Sequence, residues 1–347
     1  MVKVLIVDDS VFMRTVIRDM LSRDASLEIV GTASNGLDAL EKIPLLNPDL
    51  ITLDIEMPKM NGLEVLKELQ KVRKHPKVLM LSSLTSRDAE MTVEAIRLGA
   101  DDFMLKPKDL PHVREISDEL IAKVKHIASL SSAVIPHKTR SSPAGPADRV
   151  VLIGSSAGGP PQVDILLSML SPDLPAGVVI TQHMPVGFTT PLAERFNRIA
   201  TMPVKETRNS DMIETGKILL SKAGVHTVIS GILGENGKTN GRIIHSISPP
   251  VHGVRPAIDK TFESAAHVFG KNTVSVILSG MGNDAGEGAH AIKQAGGVSL
   301  ICDEKDCLVY GMARSAIRNN AVDQVVPLHN LAKEIERVVL TMEATCV

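Results

Sequence analysis

The sequence predicts two α/β domains in tandem, each a doubly wound parallel sheet. Three observations carry that expectation. Short apolar runs alternate with segments of helical periodicity through most of the chain. At 347 residues, the chain exceeds what one ordinary core organises. The alternation breaks once, in "SLSSAVIPHKTRSSPAGPADR", where Pro136, Pro143 and Pro146 stand among Ser and Ala. The expected division is a first domain at 1–128, an interdomain linker at 129–149 and a second domain at 150–347.

In the first domain "KVLIV", "EIVGTA", "LITLDI", "KVLML" and "DFMLK" read as five strands. Such runs suit strands covered on both faces, the hallmark of a parallel sheet. "DSVFMRTVIRDMLSRD" reads as a helix with Phe12, Val16, Ile17, Met20 and Leu21 on one face and Ser10 as N-cap. "SRDAEMTVEAIRLGA" reads as another, ended by Gly99. Beyond the linker the strands are "RVVLIG", "GVVIT", "GKILL", "GRIIHSI", "TVSVILSG" and "GGVSLIC". Helices are predicted at 161–170, 189–199, 259–269, 284–295, 311–319 and 328–343, with a β-rich insertion around 216–248.

Composition removes several function classes. Apolar residues make up 44% of the chain but aromatics only 2%, with no Trp and Tyr310 the single Tyr. Single-stranded nucleic acids are held on aromatic platforms, which this chain lacks. A net charge of −2 offers no basic footprint for DNA or a membrane surface. No apolar run approaches the ~18 residues of a membrane span, and "MVKVLIVDD" runs directly into a strand, unlike a signal peptide. The expectation is a cytoplasmic protein without nucleic-acid binding or membrane insertion. Cys302, Cys307 and Cys346 fit reduced cytosolic thiols better than a zinc site, since one C-x4-C pair has no second pair beside it.

Working residues of open parallel sheets lie beyond the carboxyl ends of the strands. In the first domain those ends carry Asp8 and Asp9, Asp54, Ser82 with Ser83, and Lys106 followed by Pro107. Three carboxylates at one edge repel each other unless a cation sits among them, and hard oxygens suit Mg2+. A lysine opposite can hold a phosphoryl oxygen.

"VLIVDDS", "LDIEMPKMNG", "LSS" and "LKP" resemble the receiver domain of two-component response regulators over residues 1 to about 125. The resemblance implies a flavodoxin-like fold of five parallel strands, with Asp54 taking a phosphoryl group from a histidine kinase. It implies Mg2+ held by Asp8, Asp9, Asp54 and the Glu56 main-chain carbonyl. Ser82 stands at the hydroxyl position, with Ser83 its neighbour, Lys106 at the lysine position and Phe103 at the aromatic switch position. Such a phosphoryl group adds charge and acceptors that a neighbouring domain can read.

The second domain opens on "VVLIGSSAGGPPQ". Its glycines have the wrong spacing for G-x-G-x-x-G, and no acidic residue follows at the distance a ribose hydroxyl needs. The same letters match G-x-S-x-G, which lifts Ser156 out of a turn between strand and helix. A tight turn alone is the bland alternative. A nucleophilic serine needs a base and an orienting carboxylate. His183 follows "GVVITQ" and Asp284 lies in the turn after "TVSVILSG", both just past strands. His252 is the rival base, and Asp284 could instead simply cap the helix after it. Arg255 is the candidate substrate-side cation, with a structural salt bridge as its other reading. The order Ser, His, Asp departs from that of α/β-hydrolases, but a triad lives in geometry rather than order.

"IGSSAGGP", "TQHMPVGFT", "RPAIDKTFESAA", "LSGMGNDAGEGA" and "VYGMARSAI" resemble the catalytic domain of the chemotaxis protein-glutamate methylesterase family, CheB, over residues 150 to about 340. The resemblance implies Ser156 as nucleophile, His183 as base, Asp284 as orienting acid and the Met281 amide as an oxyanion donor. It implies demethylation of glutamate methyl esters on methyl-accepting chemoreceptors and deamidation of receptor glutamines, with no cofactor at the esterase site. A chemotaxis histidine kinase would donate the phosphoryl group. Ser155 and Ala313 depart from the family pattern, as does "GNDAG", which lacks an Asp-Gly pair; the triad residues themselves are unchanged. The competing reading is a response regulator with a non-catalytic, partner- or ligand-binding output domain.

Overall fold

In the computed structural model the described residues are 1–72, 75–82, 86–106, 113–130, 145–234 and 239–342. The chain divides into two units, Met1–Ser131 and Ser132–Val347. Most of the predicted linker, with Ser83, Pro107 and Cys346, lies outside the described residues. Within 145–149, Pro146 bridges to Glu214 and the Ala147 N–H donates to Ile213, so this stretch is already bonded into the second unit.

The first unit runs β1 (Val2–Val7), α1 (Val11–Leu21), β2 (Leu27–Ala33), α2 (Gly36–Leu46), β3 (Leu50–Asp54), α3 (Gly62–Leu69), β4 (Lys77–Ser82), α4 (Ser86–Arg97), β5 (Asp102–Leu105) and α5 (Val113–Ser129). Its five strands are parallel in the order β2-β1-β3-β4-β5. Side chains alternate along β1: Val4 and Ile6 pack with Ile17, Met20, Leu120 and Val124, while Leu5 and Val7 pack with Val65 and Leu66 on the other face. Helices therefore cover both faces, and all five strands are the predicted ones.

Ser10 caps α1, its side chain accepting from the Met13 N–H. Ile17, Met20 and Leu21 of that helix are buried, but Phe12 is 68% exposed, contrary to the predicted single face. Five residues before Ile17, it sits about 140° round the helix from the buried stripe. Gly99, with φ +95, follows α4 as expected.

The second unit comprises β6 (Val150–Ser155), α6 (Gly159–Met169), β7 (Gly177–Gln182), α7 (Thr189–Ile199), β8 (Val204–Glu206), β9 (Ile218–Leu220), β10 (His226–Leu233), β11 (Thr239–Ser246), α8 (Ile258–Phe269), β12 (Thr273–Ile277), α9 (Gly286–Gln294), β13 (Val298–Cys302), α10 (Gly311–Arg318), β14 (Gln324–Val326) and α11 (Leu328–Thr341). Seven strands form a parallel sheet, order β14-β13-β12-β6-β7-β9-β8. β10 and β11 pair as a separate antiparallel hairpin whose Ile229 and Ile243 pack with Phe262 and Phe269 of α8. The predicted insertion at 216–248 thus divides, β9 joining the main sheet. Three-residue β8 and β14 are new, being too short for alternation to register. From β6 the chain winds to β7 on one side, and β12 later takes its place on the other. That reversal is a topological switch point, where the crevice beyond the strand ends accepts ligands.

Candidate active site

At the acidic edge of the first unit, β1 ends before Asp8 and Asp9, and β3 ends in Asp54. Asp8 and Asp54 are buried, Asp9 is exposed, and one carboxylate oxygen from each lies within 4.8 Å of the other two. Lys106 Nζ reaches both buried members, 2.8 Å from Asp8 and 2.7 Å from Asp54. Burial works against the lysine's charge, but its bonds to Asp54 and Asp8 win and raise its pKa. Burial lifts Asp54 to about 6; Lys106 opposes the rise, while the charges of Asp8 and Asp9 add to it. A compact set of hard oxygens carrying this much unneutralised charge fits a divalent cation such as Mg2+.

Ser82 ends β4 with its hydroxyl buried and accepting from Thr92 Oγ1 at 3.0 Å. Its carbonyl accepts from the Lys106 N–H at 2.8 Å, which locks the lysine's backbone to the neighbouring strand end. Phe103 is half-buried on β5 against the α2–α3 side of the core, and Glu56 is exposed just past Asp54.

A carboxyl raised to about 6 when folded, against about 4 unfolded, costs stability wherever it stays ionised in both states. That cost is fully present above about pH 6 and vanishes as the pH falls towards 4. Asp54→Asn in metal-free buffer is therefore expected to raise the receiver's melting temperature at pH about 8, with the gain shrinking through pH about 6. Calorimetry across that range checks it, and an unchanged or lower melting temperature at the alkaline end would contradict it.

In the second unit, three strand ends meet at the switch point. The Ser156 N–H donates to the Ser279 carbonyl at 2.9 Å, tying the end of β6 to the segment after β12. The His183 N–H donates to the Ser155 carbonyl at 3.0 Å, tying in β7. Gln182 Nε2 donates to the carbonyls of both Ser156 and His183, each at 3.0 Å, and so braces the nucleophile candidate against the base candidate. Two glycines permit the close approach. A Cβ on Gly280 would lie 2.9 Å from Ser156 Cβ and 2.1 Å from Met312 Sδ; Gly158, with φ +75, turns the chain from Ser156 into α6.

His183 Nε2 lies 2.8 Å from Asp284 Oδ2. The acceptor is a carboxylate, so Nε2 carries the proton and Nδ1 is left as the ring's proton acceptor. Asp284, 1% exposed, also accepts from Ile258 (2.7 Å), Asp259 (2.9 Å) and Ala285 (3.0 Å) N–H groups. Two of these are the first amides of α8, so one side chain orients the imidazole and caps α8, not the helix that follows it in sequence, α9, which has no side-chain cap. Burial pushes the Asp284 carboxyl up, but His183 and the amides outweigh it and hold the pKa below the ordinary range. Among the described residues the Ser156 hydroxyl and the Met281 N–H have no hydrogen-bond partner.

His252, the rival base, sits on an exposed turn at φ +53 and pairs with Asp259 at 3.0 Å. Asp259, which sequence reasoning passed over, also accepts from Gly288 and lies against Asp284. Burial and the Asp284 charge push its carboxyl up to about 7. His252, Asp259 and Asp284 approach closely enough to share a cation, but four N–H donors already surround Asp284. Arg255 Nη1 donates to the carbonyls of Ile247 (3.0 Å) and Ser248 (3.1 Å), so the guanidinium pins the loop before α8 without a salt bridge among the described residues. Gln182 and Asp259 were legible only as a polar residue closing an apolar strand and an acid opening a helix.

A family model described as CheB methylesterase matches residues 151–335, and one described as response regulator receiver domain matches residues 4–118. A protein of Methanospirillum hungatei named protein-glutamate methylesterase/protein-glutamine glutaminase 1 is 54% identical over 343 residues, 99% of each chain. One of Symbiobacterium thermophilum, with the same name but no number, is 39% identical over 97% of each. The crystal structure of the Thermotoga maritima CheB methylesterase catalytic domain superposes with a TM-score of 0.52 at 33% identity, covering 55% of this chain and 98% of that one. With two parallel α/β sheets of this topology and serine, histidine and aspartate converging on one switch point, the chain belongs to the CheB methylesterase family, with a receiver domain preceding the esterase domain.

Proposed function

We propose that the chain is a phosphorylation-regulated serine esterase that hydrolyses glutamate methyl esters on chemoreceptors and deamidates receptor glutamines. The observation that carries this reading is the ionised Asp284 holding His183 Nε2–H beside the strand end that presents Ser156. His183 Nδ1 takes the Ser156 proton as Oγ attacks the γ-ester carbonyl. The Met281 N–H donates to the oxygen that gains charge. His183 returns the proton to the departing methoxide, releasing methanol and leaving an acyl-enzyme. Water, deprotonated by the same nitrogen, then frees glutamate and regenerates Ser156. A glutamine side chain follows the same route with ammonia leaving. Arg255 is the substrate-side cation, its half-exposed guanidinium having donors beyond the Nη1 spent on the loop.

In the receiver, Asp54 is the phosphoryl acceptor and Asp8, Asp9 and Asp54, with the Glu56 carbonyl, hold Mg2+. Bound there, the ion would supply positive charge that offsets the carboxylates and an incoming phosphoryl group. Lys106 pairs with a phosphoryl oxygen, the Ser82 hydroxyl trades Thr92 for another, and Phe103 follows that movement. A chemotaxis histidine kinase is the donor and the cytoplasm the compartment; no helix among the described residues is long and apolar enough to cross a membrane. A non-catalytic output domain is not favoured, because relatives matched over nearly their whole length carry enzyme names.

The test is methanol release from methylated receptor fragments, with and without Mg2+ and a small acyl-phosphate donor. Release is expected in all conditions and is expected to rise only when both are supplied. No release from folded protein on a competent substrate would overturn the reading.

A further inference from the structure

Two thiols meet behind the nucleophile. Cys302 closes β13 and is buried; Cys307 follows the short turn Glu304–Asp306 and is half-buried. Both sulfurs lie 3.8 Å from one atom, Gln162 Nε2, which also donates to the Asp306 carbonyl at 2.7 Å. The Cys302 thiol donates to Cys307. That bond is foremost in holding the Cys307 pKa below its ordinary value; burial opposes it and the Gln162 N–H adds to it. The same bond, with burial, drives Cys302 far above the ordinary thiol range. Of the two, the less buried Cys307 is thus the one biased towards ionising and Cys302 the one biased towards keeping its proton, the asymmetry of an attacking and a resolving cysteine.

The segment that Cys307 opens is built into the site. A Cβ on Gly158 would lie 2.6 Å from Leu308 Cβ, so that side chain rests on the turn leaving Ser156. The Val309 N–H donates to Ser279 Oγ at 3.0 Å, and its carbonyl accepts from Gly280 at 2.9 Å. Gln162 Oε1 accepts from the Ser279 N–H at 2.8 Å, and the Ser279 carbonyl accepts from Ser156. Gln162, the partner of both thiols, is therefore hydrogen-bonded to Ser279, whose carbonyl accepts from the Ser156 N–H.

We propose that Cys302 and Cys307 form a reactive dithiol, a modification site for low-molecular-weight disulfides, whose closure to an intramolecular disulfide slows hydrolysis at Ser156. The coupling to hydrolysis rests on the esterase reading above; the thiol chemistry does not. The Cys307 thiolate attacks one sulfur of the small disulfide, forming a mixed disulfide and expelling one small thiolate. The Cys302 thiol then attacks the Cys307 sulfur, closing the protein disulfide and expelling the second small thiolate, which takes up the Cys302 proton. Two protein thiols are oxidised and one small disulfide is reduced to two thiols. Closing the S–S bond to about 2.05 Å draws Cys307 towards β13, away from Gln162, and pulls Leu308 and Val309 off Gly158 and Ser279.

The full chain carrying Cys346→Ser, so that only the pair reports, is treated with oxidised glutathione. Intact mass and peptide mapping are expected to show the loss of two hydrogens in a Cys302–Cys307 cross-link, with the far-UV circular dichroism unchanged. Ester hydrolysis is expected to fall about ten-fold or more and to return on reduction with dithiothreitol. Cys307→Ser, in which Gln162 keeps its bond to Asp306, is expected to form no cross-link and to keep its activity in the oxidant. A pair that stays titratable after prolonged exposure overturns the site. A cross-link that leaves turnover unchanged overturns its coupling to Ser156. A reduced protein inactive on ester whose pair still closes leaves the dithiol standing and counts against the esterase reading.

Discussion

Ser156→Ala is expected to lower kcat for methyl-ester hydrolysis by on the order of 10^5-fold, while Asp54 still accepts a phosphoryl group from an acyl-phosphate donor. The size follows from what is removed: without the hydroxyl, Asp284 and His183 remain aligned but no acyl-enzyme can form. The separation of the two activities follows from the fold. Ser156 lies beyond β6 in the second unit and Asp54 ends β3 in the first, each with its own core. The side chain fills little space, so the melting temperature should hardly move. Methanol release and acyl-phosphate labelling on one preparation test both halves. A Ser156→Ala variant within ten-fold of wild type would remove Ser156 as nucleophile.

Asp284→Asn is expected to lower kcat by about 10^4-fold and to cost roughly 1–3 kcal/mol of stability. The carboxylate accepts four N–H groups, two on each oxygen: His183 and Ile258 on one, Asp259 and Ala285 on the other. An amide keeps one acceptor and turns a donor towards the other pair. If that donor faces His183, Nε2 must accept, the proton moves to Nδ1, and no base remains for Ser156. If it faces the other pair, the buried N–H groups of Asp259 and Ala285 lose their partner. Turnover and thermal unfolding together separate the roles. A variant that unfolds earlier yet keeps kcat within ten-fold would make Asp284 a helix cap and nothing more.

Most of the candidate site was legible because it is written at strand ends. Asp8, Asp9, Asp54, Ser82 and Lys106 each follow an apolar run, as do Ser156, His183 and Asp284, and parallel strands bring such ends to one edge. The same logic ranked His183 ahead of His252, and the structure sets the latter on Asp259 instead. The error at Phe12 has the opposite origin. A face drawn from five apolar residues absorbed one that helical geometry turns to solvent.

By itself the sequence determined the two-sheet architecture, the element order and the residues able to do chemistry, since periodicity and strand-end position are local properties of the chain. Tertiary structure alone decided how those residues are used. Which imidazole nitrogen faces Asp284, the pairing of Asp284 with amides some 25 residues upstream, the Asp259 carboxyl beside it and the meeting of Gln162 with two cysteines about 140 residues away all depend on sheet order. Sheet order is set by how distant strands pack around a shared core, and no local pattern records it.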